Sequence, residues 1–537
     1  MAYAIGQVGT TLLMVDTSGA LTTLTLPTGV TLSSLATRRP RFANLGRNTL
    51  IVNSPSRSLW VDEDRTVRSM SIQPPGQAPT LSGVTAGSLS GNFRVKVAFL
   101  VVNEWGDVLS HSALGPASDA SGAIAAKLLR ASGIPVSRDP AVNARRLYRT
   151  TTGPGDEYFP WLDLDGNEET VVEDDLSDAG LELVAAPTDL GSPPGTTGGG
   201  SRLTLIAEWA NRLWAVSSSD PDTLLYSADG KLYAWPPDNF FPIPPKGRDQ
   251  FGVTALIPRR DQLGVTRVDC LHQITGKSNA TFSRVKVVEG VGCVAPETVF
   301  VYRDTAFFLG QDGVYRWDSN GVKSVSDENA KAYFTTDDYF DRSKFDQAWA
   351  SFDPTDNSYV LFLTSVGGTL GDRWLKYMLD RQTWWGPHKT GAFTPTAAGV
   401  VSDASDQLRM VIGGSTGFFW KDRGRTFTDD VNTAIDFDAD LVHTGDTPDI
   451  EKYWGQATFI VKPQAAGNLV ITPTVGDLSA AATPSINVDL TRERSRIRRF
   501  GPGRHLQLNL RQNVDAQGCE LRGYEVPYIS IGRRGGL

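Results

Sequence analysis

One short pattern constrains this chain more than any other: a polar turn holding glycine or aspartate, followed by a brief strand-like run that carries an aromatic. It reads "SPSRSLWVDED" over 54–64, "SADGKLYAWP" over 227–236, "GQDGVYRWD" over 310–318 and "GGSTGFFWKD" over 413–422, with a looser copy, "DTSGALTTLTL", over 16–26. Most copies follow another apolar run, such as "TLIVN" before Ser54, "TAFFL" before Gly310 and "LRMVIGG" before Ser415. A turn between two such runs is a β-hairpin. The turns at Gly230, Gly313 and Gly417 lie 83 and 104 residues apart, about two repeats each if a four-stranded blade takes roughly 40–50 residues. The expected fold is therefore all-β, with a β-propeller at its centre.

Composition agrees with many turns, since glycine (53) and proline (31) are both abundant. The three cysteines, Cys270, Cys293 and Cys519, have no CxxC spacing and read as buried thiols, not as a disulfide framework or zinc ribbon. The first residues, "MAYAIGQVGTTLLMVDTSGA", lack the basic segment of a secretory signal, and no apolar run is long enough to span a bilayer. Assembly in a reducing, cytoplasm-like compartment is the expectation. A net charge of −8 argues against a surface built as a whole to hold nucleic acid.

Two segments depart from the hairpin pattern. From about residue 78, "PTLSGVTAGSLSGNFRVKVAFLVVNEWGDVLSHSALGPAS" alternates as long strands do, with a polar turn at Asn103 to Asp107. "ARRLYRTTTGPGDEYFPWLDLDGNEETVVEDDL" adds two more hairpins before the Gly-rich linker "GSPPGTTGGGS". The expected organisation is propeller strands in 1–77, an inserted β-sandwich in 78–190, a linker in 191–201, the main propeller in 202–440 and a C-terminal β-sandwich in 441–537. In the last segment Leu506, Leu508 and Leu510 share one face of a strand, and Gln507, Asn509 and Arg511 the other. Helix is expected only in "SGAIAAKLLRAS" (121–132), from its alanine and leucine content, and around "SDENAKAYF" (326–334), with Ser326 as a cap.

No catalytic constellation stands out. The five histidines, His111, His272, His388, His443 and His505, lie in separate contexts without metal-ligand spacing. "GGSTG" has the letters of a nucleophile elbow, but the strand-like "FFWKD" follows where a helix is required. "GKS" (276–278) ends like a phosphate-binding loop, yet Leu271 stands where its first glycine belongs. The acid-rich "DLDGNEE" (163–169) reads as a hairpin turn at Asp165-Gly166, with a calcium loop as the sharper alternative. Asp312 resembles the "Asp box" of sialidase-type propellers, which is itself a structural turn. Asp312 and Gly313 are therefore expected to shape a tight hairpin with a positive φ. The chain is expected to be cofactor-free and not an enzyme.

Two features read as contact surfaces. Trp384 and Trp385 are neighbours in "MLDRQTWWGP", so on a strand one faces inward and one outward. A subunit interface is the expected use of the outer ring, and a sugar-stacking platform the alternative. "TRERSRIRRFGPGRH" (491–505) places Arg492, Arg494, Arg496, Arg498, Arg499 and Arg504 beside one acid, Glu493. Such a run suits a solvated strand, a carboxylate-bearing subunit surface or a DNA backbone.

Several ordered stretches carry a resemblance. "NRLWAVSSSDPDTLLYSADGKLYAWPPDNFFPI", "GVTALIPRRDQLGVTRVDCLHQITG", "EGVGCVAPETVFVYRDTAFFLGQDGVYRWD" and "FDPTDNSYVLFLTS" with "KYMLDRQTWWGP" follow one another as in tail nozzle or tail-tube-like proteins of short-tailed bacteriophages. "VVNEWGDVLSHSALGPAS" with "RRLYRTTTG" resembles the fibronectin-III-like insertion of those proteins. The resemblance implies a structural protein of the virion tail that forms a homo-oligomeric ring, usually of six copies. It implies contacts with portal and adaptor proteins and with tail fibres or spikes, and transient passage of genomic DNA. A carbohydrate-binding or carbohydrate-active propeller that recognises the host surface is the alternative.

Overall fold

The computed structural model describes residues 3–16, 20–35, 38–70, 72–153, 155–182, 184–187, 190, 202–244, 252–326, 330–389, 394–402, 407–414, 419–421, 437–443, 450–464, 466–476, 484–512 and 521–532. These form eleven antiparallel sheets, eight of them four-stranded, with one short α-helix, Lys331–Thr335. No helix among them is long and apolar enough to cross a membrane. The chain divides into two compact units, 1–389 with 394–420, and 390–393 with 421–537.

In the first unit, seven sheets are meanders whose strands pair in chain order. Their first strands are Tyr3–Val8, Arg41–Leu45, Leu203–Trp209, Ala255–Pro258, Phe300–Tyr302, Trp349–Asp353 and Pro395–Ser402. From the second to the seventh, each first strand touches the next, and the strand Pro395–Ser402 touches Tyr3–Val8. The first and second sheets share a core in which Leu12, Met14 and Leu24 meet Ile51, Leu59 and Val61. The seven sheets thus form a closed circuit.

The second strands show why the sequence folds this way. Arg212–Ser217 and Ser358–Leu363 are buried at every position, and their runs "RLWAVS" and "SYVLFL" are nearly continuously apolar, as strands covered on both faces require. The cores lie between neighbouring sheets. Trp214, Leu224 and Tyr226 of the third sheet pack with Leu263, Val265 and Ile274 of the fourth. Phe307 and Leu309 of the fifth pack with Tyr359, Leu361 and Leu375 of the sixth.

Between the second and third sheets the chain builds two more sheets around a shared core of Val95, Val97, Leu129, Ala131, Leu147 and Trp161. One sheet holds Thr80–Gly91, Ile124–Ser132 and Val171–Asp174, and the other Val95–Val102, Val108–His111, Ala144–Arg149 and Phe159–Asp165. They do not stand clear of the circuit. Leu109 packs on the cluster that holds Leu213 and Trp235, and Phe99 and Val101 pack on Ile72.

Five local expectations need correction. Residues 121–132 contain the strand Ile124–Ser132, because pairing on both sides, with Thr80–Gly91 and Val171–Asp174, outweighs alanine's helix preference. "SADGKLYAWP" is a loop between Thr223–Tyr226 and Phe240–Pro242, which drops Leu232, Ala234 and Trp235 into the core. Its Pro236 and the following Pro237 have no N–H for a ladder. Gly166 has φ +85°, but the turn there crosses between sheets, since Phe159–Asp165 and Val171–Asp174 have different partners. The helix Lys331–Thr335 starts after Ala330, and Ser326 is buried elsewhere, accepting from the Val314 N–H at 3.1 Å. The fifth correction, at Gly313, is described with its site below.

His111 gives this unit a pH dependence. Its Nδ1 donates to the Ser112 carbonyl at 2.6 Å and its Nε2 accepts from the Tyr148 hydroxyl at 2.8 Å. Burial lowers its pKa to about 4, against the weaker opposing effect of Ser112. The unfolded chain therefore takes up a proton that the folded one refuses, so this stability is intact above the ordinary value near 6.5 and falls as pH drops towards 4. The loss is expected to be at most about 3 kcal/mol. His272 and His388, whose pKa values burial likewise lowers to about 4, add to the same dependence, so urea midpoints near pH 7 and pH 4.5 should differ less in His111→Gln than in the native chain, by His111's share alone.

The second unit is two sheets around a core of Trp454, Phe459, Leu469, Ile471, Leu506, Leu508 and Leu510. The alternation of His505–Gln512 is as the sequence indicates, with the three leucines inside. Phe437–His443 pairs with this strand, so the unit begins before residue 441.

Candidate functional site

The first strands of all seven sheets line one cavity of about 1210 Å³. Several of these strands begin close together at it. Arg41 opens the second sheet, Glu297 precedes the fifth and Trp349 opens the sixth. The Arg41 guanidinium meets Glu297 Oε1 at 2.8 Å and also donates to the Thr204 carbonyl of the third sheet. Arg39 lies over the Trp349 ring, 4.2 Å from its centroid, and Phe362 stacks on the same ring at 5.3 Å. Trp349 is buried, and a Cβ on Gly371, where φ is +72°, would sit 1.8 Å from its Cη2. Gly371 is thus required for the tryptophan's position. Burial lowers the Arg39 pKa while Glu297 partly restores it, and the guanidinium stays charged at neutral pH.

None of these residues was singled out from the sequence. "TRRPRF" (37–42) lies where the hairpin pattern is weakest, and Trp349 is one of 13 tryptophans. The signal available was three arginines within four positions, just before a strand.

The residues that were singled out lie elsewhere. Asp312 is exposed at the hairpin between Thr305–Leu309 and Val314–Asp318, where its Oδ1 accepts from the Tyr315 hydroxyl at 2.6 Å. Gly313 is not in the positive-φ region, contrary to expectation. It is needed for space, because a Cβ there would meet Ser326 Oγ at 2.2 Å. Gly313→Ala is expected to cost about 1–3 kcal/mol in a urea melt. Adding Ser326→Ala should recover part of that, and an unchanged midpoint in Gly313→Ala contradicts the packing. Asp312→Asn keeps the acceptor for Tyr315 and is expected to stay within about 0.5 kcal/mol.

Trp384 and Trp385 divide as neighbours on a strand should. Trp384 donates to the Val325 carbonyl at 2.8 Å and packs on Tyr377 and Phe334, whereas Trp385 is 53% exposed.

The arginine run lies in the second unit, on the strand Arg494–Gly503, the turn before it and, for Arg504, the residue after it. Ile497 points into the core, while Arg492, Arg494, Arg496, Arg498, Arg499 and Arg504 are exposed. Arg492 pairs with Asp489 at 3.3 Å, and Arg498 reaches the Pro484 carbonyl at 3.4 Å. Among the described residues Arg494, Arg496 and Arg499 have no ion pair. The same sheet exposes Tyr453, Ile529 and Ile531.

The thiols of Cys270 and Cys293 are buried, and burial raises their pKa values to about 11 and about 12. Cys519, the linker 191–201 and, within "GGSTGFFWKD", residues 415–418 and 422 lie outside the described residues. Among the described residues, no three His, Cys, Asp or Glu side chains group as a metal site would need.

No protein-family model matches the chain, and no curated protein matches it. Solved structures do align along it. PorZ, a surface component of the type-IX secretion system of Porphyromonas gingivalis, is 9% identical over 98% of this chain and 81% of its own, with a TM-score of 0.27. A fungal alcohol oxidase in complex with copper is 10% identical over 99% of this chain and 100% of its own, at 0.32. An exo-β-1,3-galactanase from Phanerochaete chrysosporium is 8% identical over 91% and 95%, at 0.18. The expectation that the chain is not an enzyme is corrected here, because two of these three structures are enzymes. Likeness at this level does not make the chain an enzyme either.

Proposed function

We propose that this chain is a structural subunit of a bacteriophage tail, one copy of a ring that lies below the portal and adaptor proteins and passes the genome. On this reading the seven-sheet circuit is a β-propeller, the two sheets between its second and third blades are a fibronectin-III-like insertion, and the second unit is a C-terminal β-sandwich. The observation that carries the proposal is the exposed surface of one sheet that holds Arg494, Arg496 and Arg499 towards one end and Tyr453, Ile529 and Ile531 towards the other. Clustered like charges without ion-pair partners among the described residues, on a sheet that also exposes apolar side chains, suit a surface that another protein covers. The ordered resemblance of the sequence to tail nozzle proteins supplies the kind of assembly.

The cavity within one subunit, about 1210 Å³, is near the size of small-molecule sites, roughly 300–1,000 Å³. DNA would therefore pass between copies of the chain and not through one of them. Binding of host carbohydrate is the second reading, and that same cavity favours it. Labelling decides between them: on the first reading, antibody raised to the chain marks the tails of phage particles. A chain that is missing from particles and is retained by bacterial polysaccharide contradicts it.

A further inference from the structure

We propose that the end of the central cavity where Arg39 meets Trp349 binds a small ligand through an oxyanion, a phosphate or carboxylate group. The inference stands on the cavity alone and does not depend on the ring. Hydrogen-bond donors gather here without enough acceptors. Arg38, Arg39 and Arg41 all line the cavity. Behind them, Arg202, just before the first strand of the third sheet, does not line the cavity, but its pKa is lowered by burial and then by the charge of Arg38.

Against the three arginines that line it, the same end of the cavity offers Glu297, and Arg41 already holds that carboxylate through both Nε and Nη2. Glu208, the other acid lining the cavity, accepts from the Asn211 N–H in the turn that follows its own strand.

The remaining donors are unmatched. Arg39 stacks on Trp349 and has no carboxylate in ion-pair range among the described residues. Trp349 is 3% exposed, and its indole Nε1 has no hydrogen-bond partner among them. The buried Nε of Arg202 has none either. Leaving a buried donor unpaired is costly, and several together mark a place where an acceptor completes the structure. A guanidinium held flat against an aromatic ring presents its N–H edge in a fixed fork, which matches two oxygens of one phosphate or carboxylate. A neutral ligand would leave the excess positive charge unanswered.

The test uses the full chain. Inorganic phosphate and glucuronate are titrated separately, with sodium chloride at matched ionic strength and glucose as controls, while tryptophan fluorescence and melting temperature are followed. A saturable change with at least one of the two anions, absent with both controls, is the expected result. Phosphate alone, glucuronate alone, or both tells which oxyanion the site accepts. Arg39→Gln should weaken binding at least about tenfold, the loss of one charge-assisted pair. Arg38→Gln changes an exposed side chain and serves if Arg39→Gln does not fold; it should weaken binding several-fold. No response beyond chloride overturns the proposal. So does binding that is unchanged in the folded variants.

Discussion

Truncating Trp214 to alanine is expected to destabilise the first unit by about 3–5 kcal/mol, the range for removing a fully buried aromatic. Trp214 has no exposed surface. It stacks on Tyr226 at 4.6 Å, meets Phe282 edge-on at 5.2 Å and lies 5.6 Å from Trp209. Its Nε1 donates to the Trp209 carbonyl at 2.9 Å. Phe282 introduces the last strand of the fourth sheet, so this one side chain fastens two neighbouring sheets. The urea midpoint of the unfolding transition measures the loss. Trp214→Phe keeps the stacking and should cost clearly less. A change below about 1 kcal/mol in the alanine variant would mean that the third and fourth sheets do not share this core.

Reversing charge at Arg496 and Arg498 is expected to abolish assembly while leaving each copy folded. Both side chains are exposed on a strand whose inward residue, Ile497, is untouched by the change. The acids that would face them on a neighbouring copy include Asp337 and Asp338, which are exposed, whereas Asp341 already caps Arg342–Gln347 and pairs with Lys344. Of the second acidic stretch, 428–440, residues 428–436 lie outside the described residues, and Asp438 and Asp440 lie on the strand Phe437–His443. Sedimentation of Arg496→Glu/Arg498→Glu should show single copies with an unchanged circular-dichroism spectrum. If these arginines instead touch DNA, the variant assembles normally and only DNA retention or ejection changes.

The parts of the fold that were legible in the sequence are local. The hairpin at "GQDGVYRWD" could be read because Leu309 pairs with Val314 across a four-residue turn. The alternating leucines of His505–Gln512 could be read because period two is a property of the strand itself. What was missed depends on distant partners. Gly313 is constrained by Ser326, on the far side of the next hairpin. The alanines near residue 125 favour helix until strands from both sides of them in the chain claim their backbone. Arg39 and Trp349 meet only when the circuit closes, and that leaves no mark in either local sequence. The first sheet was faint because its third strand, "LTTL", buries one residue in four.

Copy number tests the account most directly. The native mass of the purified full chain should correspond to a closed ring, with six copies expected from the resemblance to tail nozzle proteins. Raising salt should release single subunits as screening weakens the arginine contacts. A chain that stays monomeric at low salt and high concentration would contradict the ring, and with it the proposed place of this protein in a phage tail.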